Sequence, residues 1–207
     1  SIFLSMLRAY YDIAQKPKFE ARFGNLWVGK HPTPLQGAYQ ILSLDFSRVS
    51  GQADRLAINF NNYCCGALDD FAFVYEAYYY PGFKQEMKEQ PDATTKINFL
   101  DRQARNCGAR LYLIIDEYDN FTNVVLNEQG DEAYHSLTHA SGFYRDVFKM
   151  FKGMFERIFM TGVSPVTLDD LTSGFNIGWN ISTEPEFNRM LGFSEEDVRQ
   201  MLQYYKD

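Results

Sequence analysis

Five consecutive apolar residues, Leu111 to Ile115, lead without a break into Asp116 and Glu117. A short continuous apolar run bounded by polar residues fits a strand buried on both faces, as in a parallel sheet. Parallel α/β sheets bind ligands outside the carboxyl ends of their strands, which is where Asp116 and Glu117 would sit. Two adjacent carboxylates at that place suit a magnesium-nucleotide site, one holding the metal shell and the next polarising an attacking water. The same pattern also describes a strand leaving the core into a solvated turn, so the rest of the chain has to separate the two readings.

The bulk properties set bounds on both. A chain of 207 residues allows one good-sized core, or a core plus the start of a second unit. Hydrophobic residues make up 45% and charged residues 23%, the balance of an ordinary globular protein, with aromatics high at 16%. A net charge of −7 argues against a general nucleic-acid-binding surface, which needs a positive field. Cys64, Cys65 and Cys107 form no disulfide framework, and an odd count without spacing logic fits a reducing, cytoplasmic compartment. No apolar run is long enough to span a bilayer, and no secretory signal opens the chain.

In chain order, residues 1–14 read as a helix. Phe3, Leu7, Tyr10 and Ala14 mark one face and Ile2, Met6 and Ile13 another, so the helix is expected to be buried among other elements. The chain opens inside this helix, which predicts further sequence upstream. Residues 16–37, broken by Pro17, Gly24, Gly29, Pro32 and Pro34, read as a connector. A second strand is expected over 39–46, exiting at Asp45 and Ser47, with Asp45 as a turn or cap residue. Two helices are expected over 54–65 and 69–80, the second with an aromatic stripe and a Pro81-Gly82 stop. Residues 83–92 read as a loop, and 95–107 as a helix closed by Gly108. The polar segment 120–141 holds Asp131, His135 and His139; two histidines four apart can ligate a metal, but no third ligand joins them, and the segment reads as a solvated excursion. A helix over 142–155, with Phe143, Val147, Phe148 and Phe151 inward, leads to a third strand at 158–160 that exits into Thr161-Gly162-Val163-Ser164-Pro165. Residues 168–182 read as an ordered connector or a short strand around 177–181. A last helix, 193–205, takes Ser194 as its cap, Glu195, Glu196 and Asp197 in its first turn, and Phe193 against Val198 as a staple.

Strands separated by helices, with polar residues at each exit, describe an open α/β sheet. In P-loop NTPases a glycine-rich loop ending in Gly-Lys-Ser/Thr opens a helix and sets its hydroxyl on magnesium. No such loop occurs here, but Ser1 stands directly before the first helix. Through SIFLSMLRAYYD at the start, ILSLDFS at 41–47, LYLIIDEYDN at 111–120, FMTGVSPV at 159–166, DLTSGFNI at 170–177 and FNRMLGFSEEDVRQMLQYY at 187–205, the chain resembles the bacterial AAA-ATPase-like family over most of its length. Members of that family often carry a C-terminal nuclease-like domain of the PD-(D/E)XK type.

The resemblance implies a P-loop NTPase-like α/β core over 1–182, a three-layer open parallel sheet of the ASCE type whose phosphate-loop strand lies upstream. It implies the start of a C-terminal helical region over 183–207, leading to a further domain. ATP and Mg2+ are the implied cofactors. In the family the first helix follows Arg-Arg-Phe-Gly-Lys-Ser, so Ser1 stands for that motif's serine and its Gly and Lys lie upstream. Asp116 is then the Walker B magnesium ligand, Glu117 the water-activating base, and Thr161 a sensor reaching the γ-phosphate or the attacking water. Asp119 is given a supporting or structural place. Because the missing strand would lie beside the Thr161 strand, an unfilled edge is expected at Ile158 to Met160, and the chain as given should bind nucleotide poorly.

Three functions compete. The leading one is an ATPase module whose nucleotide cycle controls an attached nuclease-like domain or a protein partner. A degenerate NTPase fold serving as an interaction scaffold is the second, favoured by the aromatic stripe at 69–80 and the acidic balance. A metal nuclease built on Asp116, Glu117 and Asp119 is disfavoured, since no lysine lies within that motif. If the protein oligomerises, Arg145 and Arg157 are the arginines to test as fingers toward a neighbour, although both read as surface or packing residues.

Overall fold

The structure, a computed structural model, describes residues 1–49, 55–120, 143–163 and 179–205. The chain divides into a larger unit, Ser1–Leu171, and a smaller one, Thr172–Asp207. The larger unit is framed by a three-stranded parallel sheet in the order β1 (Gln40–Asp45), β2 (Leu111–Asp116), β3 (Arg157–Met160). The central strand is the apolar run. Leu111 to Ile115 are all buried, as a strand flanked on both edges and covered on both faces requires. No helix among the described residues is long and apolar enough to cross a membrane.

One face of the sheet is covered by α1 (Ile2–Tyr11). Its Leu4 packs on Tyr39, Ile41, Tyr112 and Ile114, and Phe3 meets Phe159 with ring centroids 5.8 Å apart. The expectation that this helix is buried all round fails, because Ile2 and Met6 stay 83% and 48% exposed. The sheet side of α1 is covered; along the other side, among the described residues, lies a groove floored by Phe23 and Leu26. The supposed connector after α1 holds short helices, a 3-10 turn at Ile13–Lys18, α2 (Phe19–Phe23) and α3 (Trp27–Lys30). Phe19 and Phe23, one turn apart, both meet the Tyr10 ring edge-on, and that anchor holds a turn of helix between the breakers.

The two helices expected after β1 are one continuous helix, α4 (Leu56–Tyr75). Gly66 inside it costs about 1 kcal/mol relative to alanine. Phe60, Cys64, Leu68, Phe71 and Tyr75, at helical spacing, are buried on one side of it. Each large apolar side chain so buried contributes about 1.5–3 kcal/mol, so the stripe outweighs the glycine. A further helix, α5 (Phe83–Glu89), replaces the expected loop. Phe83 and Met87 are fully buried, and Phe83 stacks on Tyr79 and Phe99 at 3.8 and 5.7 Å. The next helix, α6 (Ala93–Cys107), opens with an Asp92–Thr95 capping box and closes on Gly108 at φ +68°, a left-handed cap that glycine adopts without strain. Buried Lys96 of α6 donates to Asp69 Oδ1 of α4 and to the Met87 carbonyl of α5, both at 2.6 Å, and so ties three helices together.

Before β3 comes α7 (Phe143–Met154), with Val147, Phe148 and Phe151 buried as expected. The smaller unit contains α8 (Glu195–Tyr204), capped by a Ser194–Asp197 box as its sequence predicts. Its apolar side chains Val198, Met201, Leu202 and Tyr205 are exposed, as is Phe193. The segment carrying Asp131, His135 and His139, the side chains of Phe143 and Arg145, and most of 168–182 lie outside the described residues.

The outer edge of β1 is closed piece by piece. Gln40 N–H donates to the Arg110 carbonyl, so even-numbered residues face β2 and Ile41, Ser43 and Asp45 face outward. Tyr39 pairs with the segment after α1, accepting from Ile13 N–H and donating to the Tyr11 carbonyl. Ile41 N–H donates to the Tyr75 hydroxyl at 2.9 Å and Asp45 N–H to the Tyr63 hydroxyl at 2.6 Å. The outer edge of β3 has no strand partner among the described residues, and Ile158, Phe159 and Met160 are half-buried.

Asp12, at the first of these edge contacts, is completely buried. Its Oδ1 accepts from Ala14 N–H at 2.8 Å, while Oδ2 has no hydrogen bond. Burial pushes its carboxyl above the usual aspartate range, against the pull of Ala14 N–H, the nearby Tyr75 hydroxyl and Arg8. A folded pKa above the unfolded one gives a contribution that is fully present below about pH 3.9 and is lost as pH rises through the folded value. Asp12→Asn removes that loss and keeps an acceptor for Ala14. Thermal melts from pH 4 to 8 should show the variant gaining on the parent as pH rises and converging with it at the acid end. A pH-independent offset would contradict this assignment.

Candidate functional site at the carboxyl rim of the sheet

Parallel strands end on one rim, and here the register decides which side chains share it. Asp45 is paired with Asp116, and Ile115 with Met160, so Thr161 falls next in the same row. Thr161 N–H extends the ladder by donating to the Ile115 carbonyl at 2.9 Å. Its hydroxyl donates to Asp116 Oδ1 at 2.5 Å. The other oxygen, Oδ2, lies 3.2 Å from the backbone nitrogen of Ser1, at the start of α1. The structure thus brings Ser1, Asp116 and Thr161 together at one point. The Asp116 side chain is 24% exposed, held by the Thr161 hydroxyl yet reachable from solvent.

Glu117 follows with φ +56°, the one positive φ outside glycine among the described residues. The chain leaves β2 in a tight turn here, with Tyr118 N–H donating to the Thr161 carbonyl and Asn120 N–H to the Glu117 carbonyl, both at 3.0 Å. A left-handed conformation costs a side-chain-bearing residue about 1–2 kcal/mol. Strain of this kind persists where surrounding contacts over-determine it, and it concentrates at functional sites. No sequence signal announces it, because glutamate is not a residue that favours the left-handed region.

Asp119 is fully buried, and its two carboxylate oxygens accept from Val163 N–H at 3.2 and 3.1 Å. It therefore stitches the loop after β2 to the loop after β3, the structural place expected of it, and its carboxylate is committed to that backbone. The space between these loops is tight. A Cβ on Gly162 would lie 2.5 Å from Asp119 Oδ1 and 2.5 Å from the Tyr118 ring.

The residue that sequence reasoning undervalued is Asp45. It does act as the turn residue expected, with Oδ1 accepting from Ser47 N–H at 3.1 Å and from the Ser47 hydroxyl at 2.6 Å, and Arg48 Nε 3.4 Å from Oδ2. It also stands beside Asp116 and lines with it a cleft of about 570 Å³ that reaches Ser1. Only the strand register reveals this adjacency. Among the described residues no three His, Cys, Asp or Glu side chains gather into a metal-holding group. A partly exposed carboxylate with a hydroxyl neighbour and a second carboxylate beside it at a cleft fits hydrated Mg2+ arriving with phosphates, which needs only one or two protein carboxylates.

The fold and rim define a parallel α/β protein with an acidic strand exit beside the start of a helix. The family model for the AAA-ATPase-like family, described as predicted AAA-ATPase, matches residues 1–172, and the chain belongs to that family. Neither the curated proteins nor the solved structures gave a match.

Two outcomes follow from the rim geometry. Glu117→Gly relieves the left-handed strain and should raise Tm by about 2–4 °C, the shift about 1 kcal/mol produces in a domain of this size. A fall in Tm would show that the turn is not strained. Gly162→Ala forces a methyl group into the Asp119–Tyr118 contact and should cost about 1–3 kcal/mol in denaturant titrations; an unchanged midpoint would mean the two loops are not packed as described.

Proposed function

We propose that the larger unit binds Mg2+-ATP at the carboxyl rim and hydrolyses it, and that this cycle controls an attached or partner domain. The observation that supports the reading best is the meeting of Asp116, Thr161 and the first turn of α1 at one rim, in a chain of an ATPase-like family. Asp116 and the Ser1 hydroxyl would hold Mg2+, which supplies charge neutralisation to the phosphate oxygens when bound. Glu117 accepts a proton from the attacking water and orients it. Thr161 keeps the Asp116 carboxylate in place and senses the γ-phosphate. The outer edge of β3, without a strand partner among the described residues, takes a further parallel strand preceding a phosphate-binding loop, which satisfies the outward N–H and C=O groups of that edge. The regulated element is a C-terminal nuclease-like domain or a separate protein, in the cytoplasm, with assembly into an oligomer open to test.

Glu117→Gln in the full-length protein should lower steady-state hydrolysis by about 10²–10⁴-fold, the usual loss for a general base, and leave ATP affinity within about twofold. Undiminished turnover would remove Glu117 from the chemistry. One observation favours the second reading, an interaction scaffold. Phe73, Val74 and Tyr78, on α4 and the turn that follows it, are exposed at 70%, 40% and 41%. Absence of any calorimetric heat with ATP and Mg2+ at millimolar concentration would select the scaffold.

A further inference from the structure

Among the described residues, the outer edge of β1 has one position that nothing covers. Tyr39 pairs with the segment after α1, and Ile41 and Asp45 are held by Tyr75 and Tyr63 of α4. Ser43 lies between them with its N–H and C=O turned outward, and no described residue bonds to either. Its side chain is exposed although Leu42 and Leu44 on either side are buried. The gap has a cause in the sequence. The α4 wall of the cleft that Ser43 lines includes Gly66 and Ala67, and a Cβ added at Gly66 would meet nothing within 4 Å. The two tyrosines hold the helix to the strand on either side of Ser43, and the small residues leave space next to the Tyr63 end. The space is the cleft of about 570 Å³, a volume within the range of ligand sites.

The chemistry of the cleft selects an occupant. An outward N–H and C=O on one extended residue is half of an antiparallel bridge, in which a single residue of the partner chain exchanges both bonds. Extended peptides add to exposed strand edges in this way, taking affinity from main-chain bonds and selectivity from side-chain contacts. The walls carry both signs of charge: Arg8 and Arg48 on one hand, Asp45 and Asp70 on the other. Neither arginine is locked, with Arg8 at 3.8 Å from Asp12 and Arg48 at 3.4 Å from Asp45. We propose that this cleft binds a short extended segment of a partner protein, carrying charges of both signs and bridged through its main chain to Ser43. The cleft extends to Ser1 and Asp116, so the segment's end lies against the rim. If the nucleotide reading holds, that contact is the path by which a partner and the nucleotide state affect each other. Binding of the segment is measured without nucleotide, so the two ideas succeed or fail separately.

The test uses the full-length protein and a random heptapeptide phage library, with enriched peptides resynthesised and measured by fluorescence polarisation in nucleotide-free buffer. Two variants challenge the site. Gly66→Phe fills the gap and improves helix propensity, so its Tm should equal or exceed the parent's. Ser43→Pro deletes the outward N–H at an edge position where proline is tolerated. The proposal expects enriched peptides that lose about tenfold or more in affinity for each variant, and for the parent when one central peptide residue is N-methylated. It is overturned if no peptide is enriched over uncoated beads, or if enriched peptides bind both variants as well as the parent. Adenosine binding that Gly66→Phe abolishes would assign the cleft to a nucleobase and overturn it as well.

Discussion

The burial of β2 on both faces and both edges is the constraint on which the rest of the molecule depends. Leu111 to Ile115 cannot be exposed without losing several large side chains from the core, each contributing about 1.5–3 kcal/mol. Their backbone groups, equally cut off from water, need strand partners on both sides. Parallel neighbours satisfy that need, and parallel strands end together. Asp116 is the first residue of the run that reaches solvent, and it does so where β1 and β3 also deliver polar side chains. The rim with its carboxylate is therefore a consequence of how the core closes.

The second level of organisation is the treatment of edges. At the amino end of the sheet Arg110 grips Glu156 through two nitrogens, at 2.7 and 2.5 Å, and lies 4.6 Å over the Tyr39 ring. That clamp joins the entries of β1, β2 and β3 and draws the Glu156 carboxyl below its usual range through the Arg110 hydrogen bonds. Along β1 the same problem is met by tyrosine hydroxyls from α4 in place of another strand. A hydroxyl both donates and accepts, so Tyr75 serves the N–H and the C=O of Ile41 together. The helix that supplies these groups is steadied in turn by Lys96 bridging to α5 and α6.

Much of this was legible in the residues. The apolar run gave β2, and Gly108 and Ser194 marked helix ends through local chemistry that needs no tertiary partner. The misreadings share a cause. Residues 54–80 read as two helices and residues 83–92 as a loop because their helicity rests on distant contacts, such as Phe83 against Phe99. The outer face of α1 was read as buried because periodicity shows which faces are apolar and cannot show whether something covers them. At the rim, Asp116 and Thr161 stood out as strand exits, but the adjacency of Asp45 depends on register and the strain at Glu117 on a turn that only the assembled loops impose. The family resemblance agreed with the model match over residues 1–172.

The central claim is that the Asp116 carboxylate, held by Thr161 beside the start of α1, addresses a divalent ion carried by nucleotide. Electron paramagnetic resonance of Mn2+ with ATP, titrated with the full-length protein and with Asp116→Asn, tests it most directly. The account predicts a protein-bound Mn2+ signal that requires ATP and weakens by about tenfold or more in the variant, whose Asn side chain still accepts from Thr161. Equal binding by the two proteins, with unchanged folding, would contradict it.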